Sequence, residues 1–200
     1  MVLSFFNCKR IISQQLLSDF TDGTIVDIMM KEEFVDIVDE ADKVVGSCSK
    51  SEAHQKGLLH RTVIAEIIRS NGDWVLVQQA SDRQDAGQYV SPVGGHVSSG
   101  ETEDDALRRE AFEECGFDEE LSFKLVGKKI FNREVNGKKE NHYFILYEIY
   151  TDSELQINHE SVGFETFSKP QLQQQLKDSP EKFGNAFHFV LREFYTDLLK

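Results

Sequence analysis

The chain of 200 residues has few cysteines and few basic residues, and each shortage excludes a class of protein. Its three cysteines, Cys8, Cys48 and Cys115, lie far apart, which argues against a disulfide framework or a zinc knuckle. Only 22 lysines and arginines stand against 35 acidic residues, and the net charge of −13 argues against binding to nucleic-acid polymers or anionic membranes. Nowhere do some twenty apolar residues run together, so no membrane span is expected. We expect a cytoplasmic protein with reduced thiols.

The chain does contain enough apolar residues for a folded core. Hydrophobic residues make up 40% of it and include 15 phenylalanines, and the length suits about one domain of roughly 100–200 residues. Residues 1–33 are predicted to form an N-terminal arm, in which Ile11, Ile12, Leu16 and Leu17 recur at the spacing of a short amphipathic helix. Residues 34–200 are predicted to form the main domain.

Runs of β-branched and apolar residues, separated by turn signals, predict a mixed sheet. The predicted strands are 34–38, 44–45, 62–68, 74–79, 125–131 and 142–150. Asn71-Gly72 and Asn136-Gly137 are typical of hairpin turns, and the second loop is expected to be longer than two residues. Helices are predicted over 102–115, 171–177 and 181–199. Because strands and helices alternate irregularly, we predict an α/β (α+β) fold, with helices on the faces of a mixed sheet rather than a doubly wound parallel sheet.

One predicted helix carries a cluster of acidic residues. Glu110, Glu113 and Glu114 are spaced i, i+3 and i+4, so they share a face beside an apolar stripe. Like charges one turn apart repel by a few tenths of a kcal/mol per pair, so helix stability does not explain the cluster. Hard oxygen ligands on one rigid face suit Mg²⁺ or Mn²⁺. The plainer interpretation, a solvated acidic helix face, is the alternative.

The same segment matches a known motif. In this motif a glycine is followed after five residues by Glu and after seven more by Arg-Glu and an aliphatic residue. Any residue, Glu-Glu, any residue, Gly and an apolar residue then follow in that order. The positions are filled by Gly95, Glu101, Arg109, Glu110, Ala111, Glu113, Glu114, Gly116 and Phe117. The chain therefore resembles the Nudix hydrolases, which implies an α/β/α sandwich with a mixed sheet.

The resemblance also implies roles for these residues and an activity. It implies that the Gly95 carbonyl and the side chains of Glu110, Glu113 and Glu114 surround Mg²⁺ or Mn²⁺, and that Arg109 pairs with Glu101 to hold the helix in register. The implied reaction is hydrolysis of a diphosphate linkage in a small substrate of the nucleoside diphosphate type. A metal-bound water would attack phosphorus while a carboxylate accepts its proton.

The proton acceptor and the substrate contacts have several candidates. Glu113 and Glu110 come first as the general base, with Glu140 and Glu160 as alternatives from later loops. Arg83 lies where related proteins place a basic residue that faces the diphosphate, and it is the predicted substrate-binding residue. An exposed loop arginine without such a role is the alternative.

A second resemblance extends over most of the predicted domain. The segments 34–40, 57–61, 93–96, 140–142 and 156–160 are similar to those of type I isopentenyl diphosphate isomerase, which itself has the Nudix fold. Its metal site consists of histidines and glutamates. This resemblance implies that His60, His96 and Glu140 are metal ligands, with His54 a looser match. A hydrogen-bonded core histidine is the alternative interpretation of His60.

Two departures separate the chain from that isomerase. Gly94 stands in place of its catalytic Cys, and His142 stands in place of its catalytic Glu, so the groups that add and remove a proton are missing. We therefore predict an isomerase-like Nudix hydrolase, with isopentenyl diphosphate isomerase as one alternative. A non-catalytic nucleotide sensor is the other, and the intact set of carboxylates argues against it. The expected partner is a small diphosphate compound, and a homodimer is left open.

Overall fold

The computed structural model describes residues 32–117, 120–135 and 137–200. The strands are β1 (Phe34–Val38), β2 (Val44–Ser49), β3 (His60–Ile68), β4 (Trp74–Gln79), β5 (Tyr89–Val90), β6 (Val93–His96), β7 (Phe123–Val135), β8 (Lys138–Tyr150) and β9 (Ser161–Phe167). The helices are α1 (Lys50–Lys56), α2 (Glu103–Cys115), α3 (Lys169–Asp178) and α4 (Asn185–Phe194), with 3₁₀ segments at Pro180–Lys182 and Thr196–Leu199. None of the described helices is both long and apolar enough to cross a bilayer.

Strand β3 organises a single mixed sheet. It runs parallel to β8 along its whole length, from the pair His60 and His142 to the pair Ile68 and Tyr150. Its other edge pairs antiparallel with β6 and β4. Strand β1 joins at His60 and is extended by β2, β7 pairs with β8, and β4 also pairs with β5 and β9. The N-terminal end of β3 therefore lies where several strands converge.

Helices cover both faces of this sheet. Because side chains alternate along a strand, Val63 and Ile67 of β3 share one buried cluster with Leu107 of α2. Ile64 belongs to a second cluster on the opposite face, with Phe187 of α4. Burial of such side chains contributes about 1.5–3 kcal/mol each relative to exposure. The predicted mixed sheet between helical layers is confirmed.

The C-terminal helix predicted over 181–199 is wrong as a continuous element. The structure divides it into a 3₁₀ segment, α4 and a second 3₁₀ segment. Gly184 interrupts it with extended backbone, and its N–H donates to the Tyr89 carbonyl at 2.9 Å. A Cβ at Gly184 would lie 2.6 Å from Val90 Cγ1, so the close approach of β5 determines where α4 begins.

Local patterns also missed a helix and a loop length. Helix α1 was not predicted because it buries only Ala53, although Ser49 caps its start and Gly57, at φ +66°, closes its end. The β7–β8 pairing continues to Val135 and Lys138, so the connection is two residues long and shorter than expected. Strand β9 carried no predicted pattern. The amphipathic helix expected in the arm over 1–33 falls on residues outside the described ranges, and the arm stays a prediction.

Candidate active site

Helix α2 carries the acidic cluster, and local capping residues set its ends. Thr102 accepts a hydrogen bond from the Asp105 N–H at its start, and Gly116, at φ +71°, closes its end. Its buried residues are Ala106, Leu107, Ala111 and Cys115. With this stripe packed on the sheet, the face that bears the three glutamates is directed along the edge of β6.

Arg109 ties this helix to the loop that precedes it. Its guanidinium donates to both carboxylate oxygens of Glu101, each at 2.9 Å, and to the His96 carbonyl at 2.9 Å. It also donates to Glu110 at 2.5 Å. Glu101 in turn accepts the Ser98 N–H. Burial would raise the pKa of Glu101, but the bonds from Arg109 and Ser98 outweigh it and lower that pKa overall. The predicted Arg109–Glu101 pair is therefore present.

The three glutamates differ in their surroundings. Burial raises the pKa of Glu114 to about 8, and the negative charges of Glu110, Glu160 and Glu113 add to the effect. Its Oε2 accepts the Gly94 N–H at 2.7 Å. Burial also raises the pKa of Glu110. Glu113 has a side chain that is 53% exposed. Such convergence of partly buried carboxylates is what a divalent cation would stabilise.

Gly95 allows the backbone of β6 to approach this cluster. A Cβ at this position would lie 1.9 Å from Glu110 Oε1 and 2.0 Å from Glu110 Cδ. No side chain fits between the strand and the carboxylate, so the requirement for glycine is steric. The peptide of Gly95 thus borders the acidic cluster, as expected of a backbone carbonyl ligand.

A cavity of about 520 Å³ opens over the cluster. The predicted site residues that line it are Arg83, Gly95, His96, Arg109, Glu110, Glu113 and Glu114, joined by Lys50, Asn158 and Glu160. Arg83 Nη2 is 3.0 Å from Glu160 Oε1, and Arg83 Nε is buried without a hydrogen-bond partner among the described residues. Sequence reasoning missed Lys50, because it lies on the unpredicted helix α1.

Two predicted ligands, His60 and His96, lie in a group of four histidines with His54 and His142. Within β6, His96 follows Gly95, so its side chain is directed to the sheet face opposite α2. His60 and His142 are paired across β3 and β8, and α1 brings His54 over them. Sequence reasoning treated His142 only as a missing catalytic Glu. It therefore did not predict this grouping.

The surroundings of the four imidazoles favour their neutral form. Burial lowers the pKa of His60 to about 4 and that of His142 to about 2, and it lowers those of His54 and His96 too. The rings contact one another at centroid distances of 4.8–5.6 Å. A neutral imidazole has one N–H that donates and one nitrogen whose lone pair can accept a hydrogen bond or bind a metal.

Glu140, the third ligand that the second resemblance implies, has other partners. Arg133 Nε donates to its Oε2 at 2.6 Å, and the Gln84 side chain donates to its Oε1. Arg133 also faces Asp85 at 3.4 Å. Glu140 is buried beside His142 but lies outside the group of four histidine nitrogens within the described chain. Its role as a metal ligand or general base stays a prediction.

Comparisons with known proteins show both the family and the fold of this chain. The family model described as NUDIX domain matches residues 58–187. The chain belongs to the Nudix family. A crystal structure of the Deinococcus radiodurans protein DR0079 shares the fold, with a TM-score of 0.65 and 23% identity, over 82% of this chain and 99% of that one. The predicted membership and fold class of this Nudix protein are confirmed.

Sequence relatives of this Nudix protein include proteins with two kinds of name. An isopentenyl-diphosphate Delta-isomerase of Serratia proteamaculans is 30% identical over 81% of this chain and 91% of its own length. An uncharacterized Nudix hydrolase of Nostoc sp. is 40% identical over 46% of this chain and 55% of its own length. The isomerase-like resemblance is therefore confirmed at the level of the sequence. In the structure, Gly94 offers only its backbone, and His142 faces three other histidines.

Proposed function

We propose that this Nudix protein is a Mg²⁺-dependent hydrolase that cleaves a diphosphate linkage in a small substrate of the nucleoside diphosphate type. The observation that carries the proposal is that Glu110 lies against the backbone of Gly95 and Glu114 accepts the Gly94 N–H, while Glu113 lines the same 520 Å³ cavity. A solvated acidic face would not bury two of these carboxylates or require glycine at the facing strand position.

The donor set fits a hard divalent cation. Glu110, Glu113, Glu114 and the Gly95 carbonyl supply oxygen atoms only, and Mg²⁺ prefers oxygen ligands; Mn²⁺ accepts the same set. When bound, the cation lowers the pKa of a water molecule and neutralises charge on the phosphoryl group. The protein residues hold the ligands in place, since Arg109 fixes Glu110 from one side and Glu101 fixes Arg109 from the other.

Glu113 is the carboxylate best placed to accept the proton of the attacking water. Among the candidates named from sequence, Glu110 is engaged by Arg109, Glu140 by Arg133, and Glu160 by Arg83. Glu113 is half exposed at the cavity, and its nearest cation, Arg109 Nη1, is 3.6 Å away. It can therefore exchange a proton with a water molecule in the cavity and release it to solvent.

Arg83 and Lys50 supply positive charge to the cavity. Both line it together with Glu110, Glu113 and Glu114. Arg83 Nε has no hydrogen-bond partner among the described residues and lies 3.9 Å from Asp82 Oδ1, and the pairing with Glu160 is through Nη2. A guanidinium binds phosphate oxygens in a bidentate manner, so we assign Arg83 to the substrate diphosphate.

The test is phosphate or monophosphate release from a panel of diphosphates with Mg²⁺ and with EDTA. The panel contains nucleotide sugars, dinucleotides, coenzyme A and isopentenyl diphosphate. We expect turnover that requires Mg²⁺, and a loss of at least about 100-fold in kcat/KM for both Glu114→Gln and Glu113→Gln, because each removes charge at the reacting group. Glu40→Gln, in the exposed β1–β2 turn, is the matched control.

Three results would contradict the proposal. Turnover by Glu114→Gln that equals the wild-type rate would show that the cluster is not the metal site. Appearance of the allylic isomer from isopentenyl diphosphate, with no hydrolysis of any panel member, would favour the isomerase alternative. Tight binding of a nucleotide without turnover of any compound would favour the sensor alternative.

A further inference from the structure

The loop that joins β6 to α2, residues 97–101, ends at the residue that holds the arginine bridge. Glu101 binds the guanidinium of Arg109, and Arg109 in turn binds Glu110. Residues 98–100, in the middle of the loop, are exposed. Connecting segments are more mobile than the elements they join, unless further contacts hold them. The position of Glu101 therefore depends on what holds this loop.

Strand β1 lies alongside the loop and holds its first part through the backbone. Val35 and Ser98 form an antiparallel bridge. The Ser99 N–H donates to the Phe34 carbonyl at 2.8 Å. These contacts extend along the loop as far as Ser99, so the turn that follows needs a contact of another kind.

The side chain of Asp36, also on β1, supplies that contact. Its Oδ1 accepts the Ser99 hydroxyl at 2.6 Å, and its Oδ2 accepts the Gly100 N–H at 3.1 Å. Gly100 has φ +78°, in the left-handed region that favours glycine, so the chain turns sharply just before Glu101. Hydrogen bonds to an ionised carboxylate are stronger than those between neutral groups. Asp36 therefore holds two successive residues of the turn.

Asp36 lies away from the reacting groups and acts through other residues. It is not among the described residues that line the 520 Å³ cavity. The loop that it holds ends at Glu101, whose carboxylate also accepts the Ser98 N–H at 2.9 Å and binds Arg109. Arg109 in turn holds Glu110. A short series of contacts thus connects a carboxylate of β1 with one of the carboxylates assigned to Mg²⁺.

A carboxylate that only stabilises the β1–β2 hairpin makes a different set of contacts. Asp39 is such a residue, because its Oδ1 accepts the N–H groups of Ala41 and Lys43 at 3.0 and 2.9 Å, both within the turn. The two partners of Asp36 lie 63 and 64 positions away along the chain. A comparison of the two aspartates therefore separates a local role from a role at the acidic site.

We propose that Asp36 is a positioning residue for the hydrolytic site. By holding the loop 97–101, it keeps Glu101 against Arg109, and the geometry of the acidic cluster depends on that pair. The inference rests on the function proposed above, because it concerns the same carboxylates. The motif contains Glu101 and Arg109 but not Asp36, so the functional unit extends beyond the motif to β1.

The test compares Asp36→Ala with Asp39→Ala, since each removes one carboxylate that accepts two hydrogen bonds. The measurements are hydrolysis of a panel substrate at saturating Mg²⁺, calorimetric titration with Mg²⁺ without substrate, and thermal unfolding. For Asp36→Ala we expect kcat, rather than KM, to fall by about 10-fold and the Mg²⁺ dissociation constant to rise by about the same factor, since groups that support metal ligands have effects of this size. For Asp39→Ala we expect wild-type kcat and Mg²⁺ affinity, whatever its fall in Tm.

Variants of Ser99 test the same contact from the side of the loop. Ser99→Ala should lose part of kcat and of Mg²⁺ affinity, whereas Ser99→Thr keeps the hydroxyl and should retain both. The double variant Asp36→Ala/Ser99→Ala should lose less than the product of the two single losses, because both changes remove the same hydrogen bond.

The outcomes distinguish this inference from the function on which it rests. Equal kcat and equal Mg²⁺ affinity in Asp36→Ala and Asp39→Ala would overturn the inference and leave the proposed function in place. A wild-type protein that neither binds Mg²⁺ nor hydrolyses any panel member would overturn both. If the wild type binds Mg²⁺ but no panel member is hydrolysed, the Mg²⁺ titrations decide. If Asp36→Ala does not fold, wild-type kcat and Mg²⁺ affinity in Ser99→Ala would overturn the inference.

Discussion

Replacement of Gly95 by alanine tests whether the backbone of β6 must approach the acidic cluster. The new Cβ would lie 1.9 Å from Glu110 Oε1, 2.0 Å from its Cδ and 2.5 Å from its Oε2. Carbon and oxygen atoms in contact are about 3.5 Å apart, so the whole carboxylate must move by about 1.5 Å. The main effect of the substitution is therefore to displace Glu110, and its effect on the fold is secondary.

The size of the effect follows from the way in which the overlap is relieved. Glu110 is a side-chain terminus and can rotate away, at the cost of its bond to Arg109. A substitution whose steric overlap is relieved by a local shift lowers the free energy of unfolding by about 1–3 kcal/mol, which corresponds to a fall in Tm of about 2–12 °C. Displacement of a site group by more than 1 Å costs about 100-fold in rate. We expect a folded protein with at least that loss of kcat/KM.

The assay is Mg²⁺-dependent hydrolysis alongside thermal unfolding of the same samples. Gly94→Ala is the steric comparison, because its Cβ would be 3.8 Å from the Val63 carbonyl, an ordinary contact. Gly46→Ala, in β2, controls for the general effect of alanine in a strand, since its Cβ meets no described atom within 4 Å. Full activity in Gly95→Ala would refute the reasoning. An equal loss in all three variants would do so too.

Two further predictions concern a buried acid and the guanidinium bridge. Burial raises the pKa of Glu66 from 4.5 to about 7, so the folded state holds this proton more tightly and its free energy of unfolding falls as pH rises from 4.5 to 7. Glu66→Gln removes this fall, which is worth about 3 kcal/mol. Urea unfolding at pH 5 and pH 8 should show that, between these two pH values, the free energy of unfolding of the wild type falls by about that amount more than that of the variant. An equal change in the two proteins would contradict the prediction. A lysine at position 109 cannot bond both oxygens of Glu101 and also reach Glu110. For Arg109→Lys we therefore expect a loss of about 10-fold or more in kcat/KM and a loss of about 1–2 kcal/mol in the free energy of unfolding. Wild-type kinetics in this variant would show that a positive charge alone is sufficient at this position.

Much of the acidic site was predictable because it depends on one helix. The spacing of Glu110, Glu113 and Glu114 determines that they share a face, and Thr102 and Gly116 determine where the helix begins and ends. These are relations between residues a few positions apart, which the periodicity of the helix converts directly into geometry. The same holds for hairpins such as β1–β2, whose turn is local.

Other features depended on contacts between distant parts of the chain. Gly184 ends one segment and begins α4 because Val90 of β5 packs against it, and no pattern near Gly184 contains that information. Helix α1 has too few apolar residues to show periodicity, yet it brings Lys50 to the cavity. Glu140 is bonded by Arg133 and by Gln84, and the contact with Gln84 joins two parts of the chain that are far apart in sequence.

By itself, therefore, the sequence determined the family, the sheet-and-helix composition and the acidic face of α2. Only the tertiary structure decided that His142 would join His54, His60 and His96, because that grouping requires the parallel pairing of β3 with β8 and the placement of α1 over both. Parallel strands are joined by long connections, and their register is set by burial on both faces of the sheet. Local sequence patterns therefore show where these histidines lie along the chain but not that the fold brings them together.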